Sequence, residues 1–223
     1  MIPWVHLDTA QIPDGGELRL MRRGQEYSIM SGAIELMNSR VSGSEVALAQ
    51  RACARLRGMA SPQVLIGGLG MGFTLRAALA DLPGDAVVTV AELVPAVVRW
   101  ARGDMAHVFT GSLDDPRVRM IQGDVAQLIE AEPSAYDAIL LDVDNGPGGL
   151  HRGANDRLYS GPGLGRAKRA LRSGGVLAVW SVTQDAAFVR RLDQAGFGVE
   201  EVTVRAGRNG RGARHVIWLA SPR

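Results

Sequence analysis

Val64-Leu-Ile-Gly-Gly-Leu-Gly-Met-Gly-Phe-Thr-Leu-Arg76 decides how the chain is read, because an apolar run there meets four glycines and passes directly into a helical pattern. Val64 to Ile66 reads as a buried parallel strand, and Gly67, Gly68, Gly70 and Gly72 remove the side chains that would keep a ligand off the backbone. Phe73 to Leu82 then starts a helix whose free N–H groups and positive dipole end face that turn. A dinucleotide fingerprint, G-x-G-x-x-G, started at Gly68 puts Phe73 where its third glycine belongs. The spacing present is G-x-G-x-G at Gly68, Gly70 and Gly72, a tighter turn that suits a nucleoside cofactor with no pyrophosphate to cradle.

With 223 residues, 46% of them apolar and 22% charged, the chain has room for one well-filled α/β domain and a small appendage. The net charge is only +2, and Lys168 is the only lysine, so no nucleic-acid-binding surface is implied. A lone cysteine, Cys53, excludes an internal disulfide and sits among apolar helical neighbours as a packing residue. No basic start leads into an apolar run at the N-terminus, and no apolar stretch approaches the roughly 20 residues that cross a bilayer, so a cytoplasmic, soluble protein is expected.

Working outward from the glycine turn, Met1 to Gly16 reads as an arm or loop. Leu18 to Met21, Tyr27 to Met30 and Ile34 to Met37 read as a small antiparallel meander. Ser42-Gly-Ser-Glu45 offers a helix start, with apolar residues at helical spacing until Gly58. The predicted organisation is residues 1–58 as arm, meander and linking helix, and residues 59–223 as a Rossmann-like domain. Within the latter, Val87 to Ala91, Val118 to Ile121, Tyr136 to Asp142 and Gly175 to Trp180 read as strands. Helices are expected at Pro95 to Arg102, Asp124 to Glu130, Leu164 to Leu171 and Asp185 to Gln194. Val199 to Val204 and His215 to Leu219 close the chain as a hairpin. This alternation predicts an α/β fold with a doubly wound, mainly parallel seven-stranded sheet and a small N-terminal antiparallel β-meander.

Acids mark the strand ends. Glu92, beside Leu93, stands where α/β cofactor domains place a carboxylate on ribose hydroxyls. Asp124, followed by Val125, can cap the next helix and can face an adenine amino group. Asp142 ends the fourth strand, with Asp144 and Asn145 after it, well placed to hold an amine and take its proton. Among other candidates, the four scattered histidines lack metal-ligand spacing, so no metal site is expected. The arginines at 205, 208, 211 and 214 read as a solvated hairpin loop, because no aromatic residue for base stacking lies among them.

Leu65-Ile-Gly-Gly-Leu-Gly-Met-Gly-Phe-Thr-Leu-Arg76, Glu92, Asp115-Pro-Arg-Val118, Gly123-Asp124 and Tyr136-Asp-Ala-Ile-Leu-Leu-Asp142 resemble successive motifs of the spermidine synthase family, within the class I S-adenosylmethionine-dependent methyltransferase fold. The meander resembles that family's small N-terminal β-domain. The resemblance implies S-adenosylmethionine or its decarboxylated form as cofactor, held by the glycine turn, Glu92 and Asp124. Three departures stand beside it. Met71 occupies the place of the aspartate that, in the family, meets the amine of decarboxylated S-adenosylmethionine. Asp142 and Asp144 are separated by one residue where the family has two, and the Tyr-His helix start is replaced near Ser44-Glu45. The reading that follows is methyl transfer from S-adenosylmethionine to a small, amine-bearing acceptor, with Asp142, Asp144 and Asn145 at the chemistry and Tyr27, Glu35 and Trp180 lining the acceptor side. Aminopropyl transfer is the alternative, and a non-catalytic protein that kept the fold is a second. The partner expected is a small molecule, with no membrane or nucleic acid; a homodimer is left open.

Overall fold

The computed structural model describes residues 2–13, 15–143, 145–148, 157–207 and 211–223. Two sheets form. The smaller is an antiparallel four-stranded sheet in the order β1-β2-β3-β4, made of β1 (Val5–Gln11), β2 (Glu17–Arg23), β3 (Glu26–Ser31) and β4 (Ile34–Asn38). The expected arm is therefore corrected: Val5–Gln11 is an edge strand, its residues paired with β2 from Val5↔Arg22 to Gln11↔Glu17. Its sequence, Val-His-Leu-Asp-Thr-Ala-Gln, lacks the alternation of a half-buried strand because much of it is exposed.

The larger sheet has seven strands in the order β10-β11-β9-β8-β5-β6-β7. Its parallel members are β5 (Gln63–Gly67), β6 (Val87–Glu92), β7 (Val118–Gln122), β8 (Tyr136–Leu141) and β9 (Leu171–Ser181), and β11 (Arg214–Pro222) pairs antiparallel with both β9 and β10 (Phe197–Arg205). Continuous apolar runs make β5, β8 and the second half of β9, as burial on both faces requires, whereas the edge strand β7, Val-Arg-Met-Ile-Gln, is largely exposed. One face is covered by α1 (Gly43–Ala54), α2 (Phe73–Asp81), α3 (Pro95–Arg102) and α4 (Ala106–Phe109), and it shares a single apolar core with the small sheet through Leu18, Leu20, Tyr27 and Ile29. The other face packs against α5 (Val125–Ala131), α6 (Gly161–Ala170) and α7 (Ala186–Gln194), around Phe188, Phe197 and Trp218. Helices on both faces make the sheet doubly wound. Strand order reverses between β5 and β8, so the crevice beyond their carboxyl ends is the topological switch point, where open α/β sheets bind ligands.

Local chemistry starts and stops the helices. Pro95 opens α3 at its first position, and the carboxylates of Asp124 and Asp185 cap α5 and α7 by accepting from Ala126 N at 2.8 Å and Ala187 N at 2.8 Å. Cys53 is buried in α1 and its thiol is pushed up to about 12, chiefly by desolvation, which keeps it protonated and inert. Among the described residues no helix is long and apolar enough to cross a membrane.

Gly72 is the N-cap of α2 in a left-handed conformation, φ 73°, and a Cβ there would strike the Phe109 ring, itself buried. Gly72→Ala is expected to lower stability by about 2 kcal/mol or more, backbone strain adding to the displaced ring, as read by chemical denaturation.

Candidate functional site

A cavity of about 330 Å³ opens at the switch point, with its floor on the strand ends and its roof on the small sheet. Its walls include Gly68, Gly70, Glu92, Leu93, Asp124, Val125 and Asp142. Strand pairing explains the convergence. Gly68 N donates to Ala91 O at 2.9 Å, Gly123 N to Glu92 O at 2.9 Å, and Asp142 N to Gly67 O at 3.0 Å, so the turns after β5, β6, β7 and β8 leave the sheet side by side.

Gly68 has φ 89°, and a Cβ on it would collide with the Asp142 carbonyl, so this glycine lets two strand exits touch. Gly70 has φ 49°, and a Cβ there would sit 3.2 Å from the sulfur of Met37, which descends from β4. Gly67 and Gly72 do not line the cavity: Gly67 lies under Val125 and Leu141, and Gly72 under Phe109.

Glu92 is buried, and both carboxylate oxygens accept backbone amides: Oε2 from Leu69 N at 2.9 Å in the glycine turn, and Oε1 from Val94 N at 2.9 Å. Desolvation pushes its pKa above the ordinary carboxylate value, against the opposing pull of those amides. Asp142 Oδ2 accepts from Thr74 Oγ1 at 2.6 Å. Burial, and then the negative charge of Glu45, push the Asp142 carboxyl up to about 7, only partly offset by the Thr74 hydroxyl. A carboxyl poised there can both hold and release a proton near neutrality.

Several sequence expectations are corrected in position. Met71 is buried in the core and does not reach the cavity, so the side chain facing Gly70 is that of Met37. Tyr27 is also in the core, its ring 5.3 Å from that of His107. Glu35 lies on the outer face of the small sheet, beside a separate hollow with Trp4 and Arg19, and is bonded by Arg40 and Asn38. Trp180 is buried against the ring of His215. Asn145 accepts through its backbone carbonyl from Ser181 Oγ at 3.3 Å and does not line the cavity. Asp144 lies outside the described residues, as do His151 and Arg208. Sequence reasoning missed Thr74, Met37 and Arg157 as neighbours of the site; the first could have been suspected from its place in the first turn of α2, where a hydroxyl faces the next strand end.

The raised carboxyl of Asp142 has a consequence for stability. Between its ordinary value of 3.8 and about 7 the folded state binds this proton more tightly than the unfolded chain, so stability falls as pH rises through that window. Asp142→Asn, which keeps an acceptor for Thr74, is expected to stabilise the protein by roughly 1–3 kcal/mol at pH 8 and by little at pH 4, measured as denaturation midpoints across pH.

No protein-family model matches the chain. Over 119 residues it is 32% identical to a polyamine aminopropyltransferase of Korarchaeum cryptofilum, a match that covers 53% of this chain and 35% of that protein. It is 35% identical over 119 residues to a polyamine aminopropyltransferase of Mycobacterium tuberculosis, covering 52% of this chain and 22% of the other. The chain thus spans about a third or less of the length of these curated relatives. In structure, spermidine synthase from Thermotoga maritima superposes with a TM-score of 0.72 at 17% identity, over 97% of this chain and 72% of that one. A precorrin-6y C5,15-methyltransferase from Geobacter metallireducens superposes with a TM-score of 0.55 at 16% identity, over 78% of this chain and 86% of that one. The chain is similar in sequence to curated polyamine aminopropyltransferases, and it shares a class I methyltransferase-like fold with the spermidine synthases.

Proposed function

We propose that the protein is a group transferase that moves the aminopropyl group of decarboxylated S-adenosylmethionine to a small amine acceptor. The observation that carries this reading is the pairing, in one cavity, of a glycine turn ordered by Glu92 with a carboxyl raised to about 7 at the adjoining strand exit. The sequence similarity to named aminopropyltransferases favours this transfer over the methyl transfer expected from the sequence alone.

The residues present fit an adenosyl donor. Gly68 and Gly70 leave backbone open to it, Glu92 offers a carboxylate for ribose hydroxyls, and Leu93, Val125 and Leu158 supply apolar walls for a base, with Asp124 within the same lining. When bound, the donor supplies an electrophilic carbon on a sulfonium: a nitrogen–carbon bond forms, the carbon–sulfur bond breaks with its pair going to sulfur, and one proton leaves the amine. Asp142 is the group placed to accept that proton, and Thr74 holds the carboxyl toward the cavity at 2.6 Å. Leu18, Leu36 and Met37 roof the site and keep water from the attacking nitrogen.

One observation favours methyl transfer as a second reading. Among the described residues the side chain that a Cβ on Gly70 would meet is Met37, and the Glu92 carboxylate at the turn is engaged by backbone amides, so neither offers a free acid to the ammonium of the decarboxylated donor.

Turnover with each donor and a linear diamine separates the two. An aminopropylated product from the decarboxylated donor is expected; an N-methylated product from S-adenosylmethionine alone would replace that reading. Asp142→Asn should lower kcat by about 10²–10⁴-fold while leaving the donor Kd within about threefold, as measured by steady-state kinetics and calorimetry. Unchanged turnover would remove Asp142 from the mechanism.

A further inference from the structure

The edge strand β1 ends at the cavity and is fastened to the main domain part-way along, through a bulge. Its pairing with β2 runs Val5↔Arg22 and His6↔Met21, then slips by one residue so that Asp8 stands opposite Leu20. Paired residues of antiparallel strands point to the same face, and Leu20 is fully buried on the inner one. An unbroken register would set Asp8 opposite Arg19, whose side chain lines the outer hollow; the extra residue, Leu7, turns Asp8 inward instead. The bulge aims a carboxylate at the main domain.

What it meets there is the indole of Trp100. That residue belongs to α3, is buried in the core shared by the two sheets, and donates from Nε1 to Asp8 Oδ2 at 2.7 Å. Arg99 stands 3.6 Å from the same oxygen, and Thr9 N donates to Asp8 Oδ1 at 2.8 Å. A buried N–H needs an acceptor, and a bond to a carboxylate is among the stronger kinds, so satisfying this indole draws β1 onto α3. Both partners then continue into the cavity wall. One turn before Trp100, α3 presents Val97, and the same wall runs back through Val94 and Leu93 to Glu92, the donor side. Four residues after Asp8, β1 presents Ile12 and then Pro13. The strand closes there in a tight turn, with Ile12 N donating to Gly16 O at 3.1 Å and Gly15 N to Ile12 O at 3.0 Å. Leu7, Ala10 and Ile12 pack against the shared core, whereas Asp8 itself does not line the cavity.

We propose that the Asp8–Trp100 bond is a clasp that holds the β1–β2 hairpin over the donor end of the cavity, and that Asp8 is a positioning residue that sets donor affinity through Ile12 and Pro13 without touching the donor. The inference rests on the adenosyl-donor reading given above. The clasp supplies what an edge strand lacks. β1 is paired on one side only, to β2, and much of it is exposed, so without a tie to α3 its tip is left to swing, and a donor would have to order it on binding. With the clasp closed that ordering is already done, and Ile12 and Pro13 shield the apolar wall from water.

The probe is 5′-methylthioadenosine, which carries the adenosyl thioether common to both donors and lacks their tails. By calorimetry, Asp8→Ala is expected to bind it at least about fivefold more weakly than the wild type. Trp100→Phe, which keeps a ring but loses the N–H, should match Asp8→Ala, and Asp8→Asn, which keeps an acceptor, should recover most of the loss. Glu26→Ala breaks the ion pair with Arg23 on the outer face of the same sheet and should leave binding within about twofold, which separates loss of the clasp from a general loosening. In an Ile12→Ala background Asp8→Ala should add little, because its effect passes through Ile12. Wild-type affinity in Asp8→Ala, or a full second loss in the Ile12→Ala background, overturns the assignment. A labelling experiment reads the clasp without ligand. Cys53 is buried with its thiol pushed up to about 12, so Ile12→Cys introduces the one reactive thiol. Adding Asp8→Ala should speed its labelling at least about fivefold, and an unchanged rate overturns the clasp. Faster labelling with no wild-type binding of methylthioadenosine counts against the adenosyl-donor reading and leaves the clasp standing. If Asp8→Ala does not fold, Trp100→Phe carries both tests.

Discussion

The buried carboxylate of Glu92 is the contact on which the donor side of the cavity depends. It accepts from Leu69 N in the glycine turn and from Val94 N at the exit of its own strand, each at 2.9 Å, and so ties together the two loops between which a donor would lie. An ionised carboxylate away from water is costly unless its lone pairs are used, and hydrogen bonds to a charged group contribute on the order of 1.5–3 kcal/mol each. The amides stabilise the charge and the charge orders the amides. Three glycines with positive φ, Gly68, Gly70 and Gly72, allow the backbone to present its N–H groups in that direction, which residues with a Cβ adopt only with strain. A ribose diol arriving here would meet an acceptor whose orientation is already fixed, so little ordering remains to be done on binding.

The small sheet turns that ordered crevice into an enclosed site. Leu18, Leu20, Tyr27 and Ile29 of its inner face merge with the core over the main sheet, and this shared burial fixes where Leu36 and Met37 descend over the glycine turn. The roof is apolar and the floor carries carboxylates. Excluding water on one side lowers the local dielectric on the other, which raises the cost of ionising Asp142 and keeps its proton affinity high.

Much of this architecture was legible in the sequence because parallel strands buried on both faces leave unmistakable apolar runs. Val87–Glu92 and Tyr136–Leu141 fall almost where the runs place them, and a parallel sheet gathers its strand exits at one edge, which brings Glu92, Asp124 and Asp142 to one cavity. What sequence alone did not convey was phase. Tyr27 and Glu35 both stand on strands near the site, but alternation says only that neighbours face opposite ways, and which face packs on the main domain depends on contacts between the sheets. Trp180 raises the same difficulty at the end of β9. Met71 was misplaced for a different reason: left-handed residues on either side of it rotate the chain, so its direction cannot be read from spacing. The influence of the Glu45 charge on Asp142 gave no local signal, since it depends on a helix docking across strands that come much later in the chain.

The distribution of charge around the cavity bears on which donor the turn could take. With Glu92 engaged by backbone amides and Asp124 capping α5, the remaining acid among the described lining residues is Asp142, and the side chain over Gly70 is the thioether of Met37. A donor tail that ends in an ammonium enters a region of negative potential and is drawn toward it through a medium with little screening. A tail that also bears a carboxylate brings an anion toward the same acids and finds a sulfur where a cation would be needed, with Arg157 the guanidinium in the cavity lining. Under the proposed aminopropyl transfer, selection of the decarboxylated donor would not require an anchoring acid in the glycine turn, because the acids of the lining, Asp142 among them, disfavour a carboxylate on the donor's carbon chain.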